Sequence, residues 1–187
     1  MKTLIAALAI LAPALHAADA DRARTLDEIG RIASVMVDGD VCRRIMTPRA
    51  LEYMSKKDPR DPWVDGDNFA VNKDAFNLTK KTLIRLSRLA GFPCDVNLWM
   101  PIPGKPGRIQ VLIRNANETS QFWTWGALHQ ETPPPMARVL AGGARITVAE
   151  KPGITSVLAP VYDSLGDIAG LVEVVARDAA DPRENVK

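Results

Sequence analysis

The stretch 157–177 constrains the fold of this chain most strongly. It contains two apolar runs, 157–162 and 168–176, separated by the connector Asp163-Ser164-Leu165-Gly166-Asp167. Asp and Ser side chains stabilise turns, and Gly adopts positive φ at little cost. The length of the runs, their β-branched residues and the Gly-containing connector together predict a β-hairpin rather than a pair of helices.

The second run of this hairpin is almost continuously apolar, which predicts a central strand covered on both faces. Glu173 is the exception within it. This residue shares a strand face with Ala169, Leu171 and Val175, where a carboxylate needs a partner, a ligand or water. We expect either a salt bridge to an arginine such as Arg114 or a contact with a ligand.

Length and charge narrow the class of protein. A chain of 187 residues with 47% hydrophobic residues is typical of one domain with a real core. The formal net charge is only +2, and acidic and basic residues are interspersed. Because a nucleic-acid surface needs a basic stripe, we expect no nucleic-acid partner.

The first 20 residues have the pattern of a signal peptide. Lys2 precedes an apolar run over 4–15, and small residues follow, with cleavage after Ala17 or after Ala20 as the alternatives. The run is shorter than the ~20 residues that cross a bilayer. We therefore expect residues 21–178 to form a single periplasmic or secreted domain, followed by a flexible tail over 179–187.

Export changes the expectation for the two cysteines. Cys42 and Cys94 would meet an oxidising compartment, where pairing is the default. We expect a Cys42–Cys94 disulfide, with two buried free thiols as the alternative. The sequence contains no Cys-x-x-Cys pattern, so it indicates no zinc site and no covalently attached haem, and we expect no cofactor.

The N-terminal part is predicted to be helical. In a first helix over 21–37, the apolar positions recur at steps of three and four residues. They are Leu26, Ile29, Ala33 and Met36. Thr47 and Pro48 are the predicted cap and first residue of a short helix. A further helix over 72–90 ends at Gly91. Its basic residues are expected on a solvated face, with a cationic docking surface as the alternative; these are Lys80, Lys81, Arg85 and Arg88.

From Cys94 onwards the apolar residues alternate as they do in strands. Before the hairpin, strands are predicted over 95–100, 108–114, 121–126 and 145–149. Within the second of these, the side chains of Ile109, Val111 and Ile113 share one face, and those of Arg108, Gln110 and Arg114 share the other. The order predicts an α+β fold in which N-terminal helices are followed by a five- to six-stranded antiparallel sheet.

The hairpin sequence resembles a known family. The matching residues are Ala159-Pro160-Val161-Tyr162-Asp163-Ser164, then Gly166, Ile168, Ala169, Gly170, Leu171 and Val172. This pattern, after N-terminal helices and an export signal, resembles the extracytoplasmic PAS-like sensor domains of the Cache type. The resemblance implies that a small molecule, often a carboxylate or an amino acid, binds between the sheet and the loops and helix covering it.

Two features depart from the Cache pattern. Many members carry an acidic residue where Val175 stands here, and a small residue where Glu173 stands. Most members also lie between two membrane spans and pass a signal to a cytoplasmic domain, whereas we expect neither a second span nor an output domain from this sequence. The resemblance therefore implies binding more strongly than signalling, and any signal would need a membrane sensor as partner.

Aromatic side chains with a few polar groups are typical of small-ligand sites. Trp123 and Trp125 share a face of a predicted strand, and Arg114 ends another strand, where its guanidinium can hold a carboxylate through two hydrogen bonds. The residues expected to bind the ligand are Trp99, Arg114, Trp123, Trp125, Tyr162 and Glu173.

The predicted function is thus an exported binding or sensory domain for a small organic ligand, either a carboxylate or an amino acid. One alternative is an accessory protein without a small ligand. The other is a small hydrolase-type enzyme that uses Cys42 and His129 as nucleophile and base. No Gly-x-Ser-x-Gly, P-loop or His-Glu-x-x-His motif occurs, so we expect neither catalysis nor a metal site. A homodimer through the N-terminal helix is compatible with all three functions.

Overall fold

The computed structural model describes residues 4–55, 70–123 and 129–178. Its helices are α1 (Leu4–Met36), α2 (Gly39–Ile45), α3 (Pro48–Ser55), α4 (Lys73–Ser87) and α5 (Pro134–Gly142). Its strands are β1 (Asp95–Pro101), β2 (Arg108–Ile113), β3 (His129–Glu131), β4 (Ile146–Val148), β5 (Ile154–Tyr162) and β6 (Ile168–Arg177). The predicted α+β class, with helices first and an antiparallel sheet second, is confirmed. The predicted tail over 179–187 lies outside the described residues.

The six strands form one antiparallel sheet in the order β3-β2-β1-β6-β5-β4. The predicted hairpin is β5 and β6, and its register pairs Val157 with Val174 and Ser156 with Val175. On its other side β6 pairs with β1, where Leu98 lies opposite Val172. The apolar run in β6 is therefore the central strand of the sheet, as its sequence predicts.

The helix α1 covers one face of the sheet, and its apolar stripe packs mainly on β5 and β6. The buried members of the stripe are Leu26, Ile29, Ala33 and Val37. The prediction that Met36 belongs to this stripe is wrong, because Met36 is 59% exposed and Val37 takes the next position, four residues after Ala33. None of the helices in the described part of the chain combines the length and the apolar character needed to cross a membrane.

A second core lies on the opposite face of the sheet, under α5. Its buried members are Trp99, Ile109, Met136, Val139, Val148, Leu158 and Leu171. Because this core and the core under α1 both contain residues of β6, the central strand is buried on both faces. Ala169 belongs to the core under α1, so it does not share the face of Leu171 as the alternation predicted.

The strand predicted over 121–126 does not form in its described part, residues 121–123. The backbone N–H groups there donate to side chains instead of to a neighbouring strand. Gln121 N–H donates to Glu173, and the N–H groups of Phe122 and Trp123 donate to the Ser120 hydroxyl. The strand that pairs with β2 at the sheet edge is β3, which starts at His129.

The predicted disulfide is wrong, because Cys42 and Cys94 are both buried free cysteines. Cys42 lies in α2 near the Thr79 hydroxyl of α4, whereas Cys94 lies before β1 and its thiol donates to the Asp95 carbonyl at 3.6 Å. Each thiol therefore has its own packed surroundings. Burial raises the pKa of each thiol to about 12, so both stay protonated at neutral pH.

Candidate functional site

The carboxylate of Glu173 lies at the centre of the sheet, on the α5 face, and is completely buried. Its Oε2 accepts hydrogen bonds from Trp99 Nε1 at 3.1 Å and from the Ser120 hydroxyl at 2.7 Å. Its Oε1 accepts from Gln121 N at 2.7 Å and from the Ser156 hydroxyl at 2.9 Å. Burial raises the pKa of Glu173, and these four hydrogen bonds oppose that rise.

The donors to Glu173 within the described residues are all uncharged, so the expected salt bridge to an arginine is wrong. The carboxylate instead fixes the segment 120–123 to the sheet. Gln121 strengthens this attachment, because its amide nitrogen donates to the Ile154 carbonyl and its amide oxygen accepts from Lys151 N at 2.8 Å. Glu173 is thus already satisfied by the protein's own groups.

The predicted aromatic site residues do not gather in one place. Trp99 is 1% exposed and packs edge-to-face on Phe122, with the ring centres 6.4 Å apart. Tyr162 lies at the end of β5, where its hydroxyl donates to the Gly143 carbonyl at 3.2 Å. Trp125 lies outside the described residues. Neither Trp99, Tyr162 nor Glu173 lines either of the two cavities described below.

Arg114 and Trp123 are brought together. The guanidinium carbon of Arg114 lies 4.1 Å from the centre of the Trp123 ring, within the range of a cation–π contact. The same guanidinium lies 3.3 Å from the carboxylate of Glu118, but this pair lacks hydrogen-bond geometry, so the buried Nη1 of Arg114 has no hydrogen-bond partner among the described residues. Glu118 itself adopts φ of 52°, a left-handed conformation uncommon for a residue other than Gly.

Two buried polar residues of β1 shape the loop that follows Arg114. Asp95 accepts from Asn117 N at 3.2 Å and from Thr119 N at 2.8 Å. Asn97 accepts from Asn115 N at 3.0 Å and donates to the Thr119 carbonyl at 2.8 Å. Neither Asp95 nor Asn97 was among the predicted site residues. The signal was present, since two polar residues two positions apart in an apolar strand point to the same face.

A cavity of about 370 Å³, here called the Arg114 cavity, opens between α4 and the end of β2. Its lining combines apolar side chains of both elements, including Phe76, Ile84 and Leu112, with polar groups of the loop that follows β2. Lys80 and Arg114 add two positive charges and Glu118 adds one negative charge. Lys80 is only half-buried, and the other three basic residues of the predicted solvated face are exposed; these are Lys81, Arg85 and Arg88.

A second cavity of about 350 Å³, here called the Gln110 cavity, lies between α2, the end of β1 and the start of β6. It is lined mostly by apolar side chains, and Leu112 lines both cavities. Gln110 was predicted on the polar side of its strand, but it is only 3% exposed. The sheet is covered on both faces, so even the polar side of β2 is buried.

The residues of the catalytic alternative do not form a nucleophile–base pair. His129 lies on the edge strand β3 beside Arg108, three strands from Glu173 on β6, which corresponds to about 14 Å at the usual strand spacing. Cys42 lies in α2 with a pKa of about 12. The described residues also hold no group of three or more His, Cys, Asp or Glu side chains placed to bind a metal ion.

The site geometry therefore consists of a charged cavity at Arg114, an apolar cavity at Gln110 and a closed hydrogen-bond network at Glu173. Comparison of the chain with protein-family models and with curated proteins gives no match.

Proposed function

We propose that this protein is an exported domain that binds a small organic acid in the Arg114 cavity. The observation that carries the proposal is the lining of that cavity, where Arg114 and Lys80 face a shared space of about 370 Å³ that apolar side chains also line. Ligand sites of this size usually combine apolar walls with a few polar groups that orient the ligand.

The state of Arg114 supports a carboxylate as the ligand. Its guanidinium stacks on Trp123, which restrains the side chain before a ligand arrives. Its Nη1 lies 3.3 Å from the Glu118 carboxylate but makes no hydrogen bond among the described residues, and an arginine fork matches a carboxylate with two parallel hydrogen bonds. Glu118 supplies an acceptor for an ammonium group, so an amino acid suits the charges of the cavity as well as a simple carboxylate does.

The first test changes Arg114 to Gln. We expect at least one acid from a panel of acetate, pyruvate, succinate and alanine to raise the melting temperature, because a ligand that binds only the folded state stabilises it. Arg114→Gln should weaken that binding by about tenfold or more, since hydrogen bonds to charged groups contribute roughly 1.5–3 kcal/mol. Calorimetric titration measures the change.

Two controls make this test specific. Lys81→Gln removes an exposed charge from α4, next to Lys80, without touching the cavity lining, and it should leave the affinity unchanged. Acetamide and succinamide keep the shapes of two acids but remove the charge, and they should not bind.

If no acid raises the melting temperature, the acid-binding proposal fails and an accessory role becomes the better explanation. Val35 and Met36 of α1, which are 80% and 59% exposed, would then be the surface for a second copy or a partner protein.

Export is part of the same proposal and rests on the pattern of the first 20 residues. We expect the protein expressed in its natural cell to appear outside the cytoplasm, with a mature chain that begins at Ala18 or Asp21. Intact-mass measurement on the fractionated protein gives the start directly. A full-length chain recovered from the cytoplasm would argue against export. For an exported protein, any signal from the bound acid needs a membrane sensor as the partner that receives it.

A further inference from the structure

The Gln110 cavity has a buried floor and an exposed mouth. Cys42, Gln110 and Leu112 lie at the floor and are each less than 5% exposed. Pro101 and Pro103 line the cavity at its exposed side. The lining comes from three separate parts of the fold, namely α2, the β1–β2 hairpin and the start of β6, so the cavity is built by the tertiary structure.

The amide nitrogen Nε2 of Gln110 has no hydrogen-bond partner among the described residues, although the residue is only 3% exposed. Buried polar groups in folded proteins are nearly always paired, because an unpaired donor loses its hydrogen bond to water without replacement. Gln121 shows the usual arrangement in this same protein, since both ends of its amide are bonded to backbone groups. The unpaired Nε2 of Gln110 is therefore an exception, and a molecule bound in the cavity would supply its missing acceptor.

The charges around the cavity select the kind of occupant. Arg43 is the cation in the lining, and it is ion-paired with Asp163. The carboxylate of Asp163 is held in turn by the backbone N–H groups of Leu165 at 2.9 Å and Asp167 at 2.8 Å. Arg43 is thus already neutralised. An uncharged acceptor fits the remaining donor better than an anion does.

We infer that the Gln110 cavity binds a small, mainly apolar molecule that presents one uncharged carbonyl oxygen to Gln110 Nε2. This site is separate from the acid site at Arg114 and does not depend on it. The Cys42 thiol at the floor is protonated at neutral pH, so it contributes packing and not covalent chemistry.

The test uses two probes of nearly the same shape, acetophenone and α-methylstyrene, which differ by a carbonyl oxygen in place of a methylene carbon. Nitrogen–proton NMR spectra of the full chain follow the side-chain amide of Gln110 during titration with each probe. We expect acetophenone to shift this resonance and to bind at least tenfold more tightly than α-methylstyrene, because only the ketone satisfies the buried donor.

The variant Gln110→Met keeps the length of the side chain and removes the donor. We expect it to fold, to raise the melting temperature of the unliganded protein by about 3 °C or more, and to bind both probes equally. Gln130→Met, on the neighbouring strand β3 and outside the cavity lining, is the matched control and should keep the preference for acetophenone.

Two results would overturn the inference. One is equal affinity of the unchanged protein for the two probes, which would mean that Gln110 does not donate a hydrogen bond to the carbonyl oxygen. The other is the absence of any shift of the Gln110 amide up to the solubility limit of both probes, which would mean that the donor is satisfied by water alone. Either result leaves the acid site at Arg114 unaffected, so the two proposals fail separately.

Discussion

Replacing Glu173 with glutamine should lower the free energy of unfolding by about 3 kcal/mol, although the two side chains have nearly the same shape. The carboxylate accepts four hydrogen bonds inside the core. Two of the donors, the Trp99 indole N–H and the Gln121 backbone N–H, lie on different carboxylate oxygens and cannot accept a hydrogen bond.

A glutamine at this position therefore fails in either orientation. Its NH₂ group faces the Trp99 indole N–H in one orientation and the Gln121 N–H in the other. In each case two donors meet in the core, and one of them stays unpaired. The serine hydroxyls do not remove the problem, because they can reverse their own hydrogen bonds but not those of the two N–H groups.

Urea unfolding of the two proteins measures the loss. Glu131→Gln, which changes an exposed carboxylate on β3, is the matched control and should alter the free energy of unfolding by less than about 0.5 kcal/mol. A loss of that small size for Glu173→Gln would show that the four hydrogen bonds do not hold the segment 120–123 to the sheet.

The pH dependence supplies a second readout of the same variant. Because burial raises the pKa of Glu173, the folded chain binds this proton more tightly than the unfolded chain does. The stabilisation from Glu173 is therefore greatest below the unfolded pKa of about 4.3 and decreases as the pH rises through the folded-state pKa. Glutamine does not titrate, so the loss of unfolding free energy caused by Glu173→Gln should be larger at about pH 5 than at about pH 8.

Replacing Gly39 with alanine should cost about 3 kcal/mol of unfolding free energy, because it forces α2 away from the hairpin. A Cβ atom on Gly39 would lie 2.5 Å from the carbonyl oxygen of Tyr162, 2.7 Å from its carbonyl carbon and 2.8 Å from Cβ of Ala169. Two of these are backbone atoms of β5, which cannot turn aside as a flexible side chain does.

Movement of α2 would also break its polar contacts with the hairpin. Asp40 accepts from Ser164 N at 2.9 Å, and Arg43 is ion-paired with Asp163. Gly142→Ala is the control, since a Cβ on this last residue of α5 meets no atom within 4 Å. It should be neutral or slightly stabilising. If thermal or urea unfolding shows Gly39→Ala to be as stable as the control, α2 does not pack against the hairpin at the distance described.

The positions of several helices follow from local chemistry that is visible in the sequence. Asn72 caps α4 by accepting from Ala75 N at 3.2 Å, and the Thr47 hydroxyl accepts from Ala50 N at 3.1 Å at the start of α3. Such caps depend on residues three positions apart, so the sequence alone predicts them. The sequence alone also predicts the β5–β6 turn, in which Gly166 adopts φ of 86°.

The candidate site was predictable only in part. Arg114 was identified because it ends a strand, and it does line a cavity. Lys80 was predicted on a solvated helix face and Gln110 on the polar side of its strand, since their own elements place them opposite the apolar residues. Lys80 is half-buried because β2 lies across the Arg114 cavity from α4, and Gln110 is buried because α2 lies across the Gln110 cavity from β2.

The sequence by itself determined the α+β class, the order of the elements and the central place of β6, because each follows from the spacing of apolar residues or from turn chemistry within a few positions. Only the tertiary structure decided which groups donate hydrogen bonds to Glu173; they come from positions 99, 120, 121 and 156. It also decided that the two cysteines stay unpaired. The physical reason is that a buried polar group takes whichever donors the fold brings within about 3 Å, and sequence separation does not encode that distance.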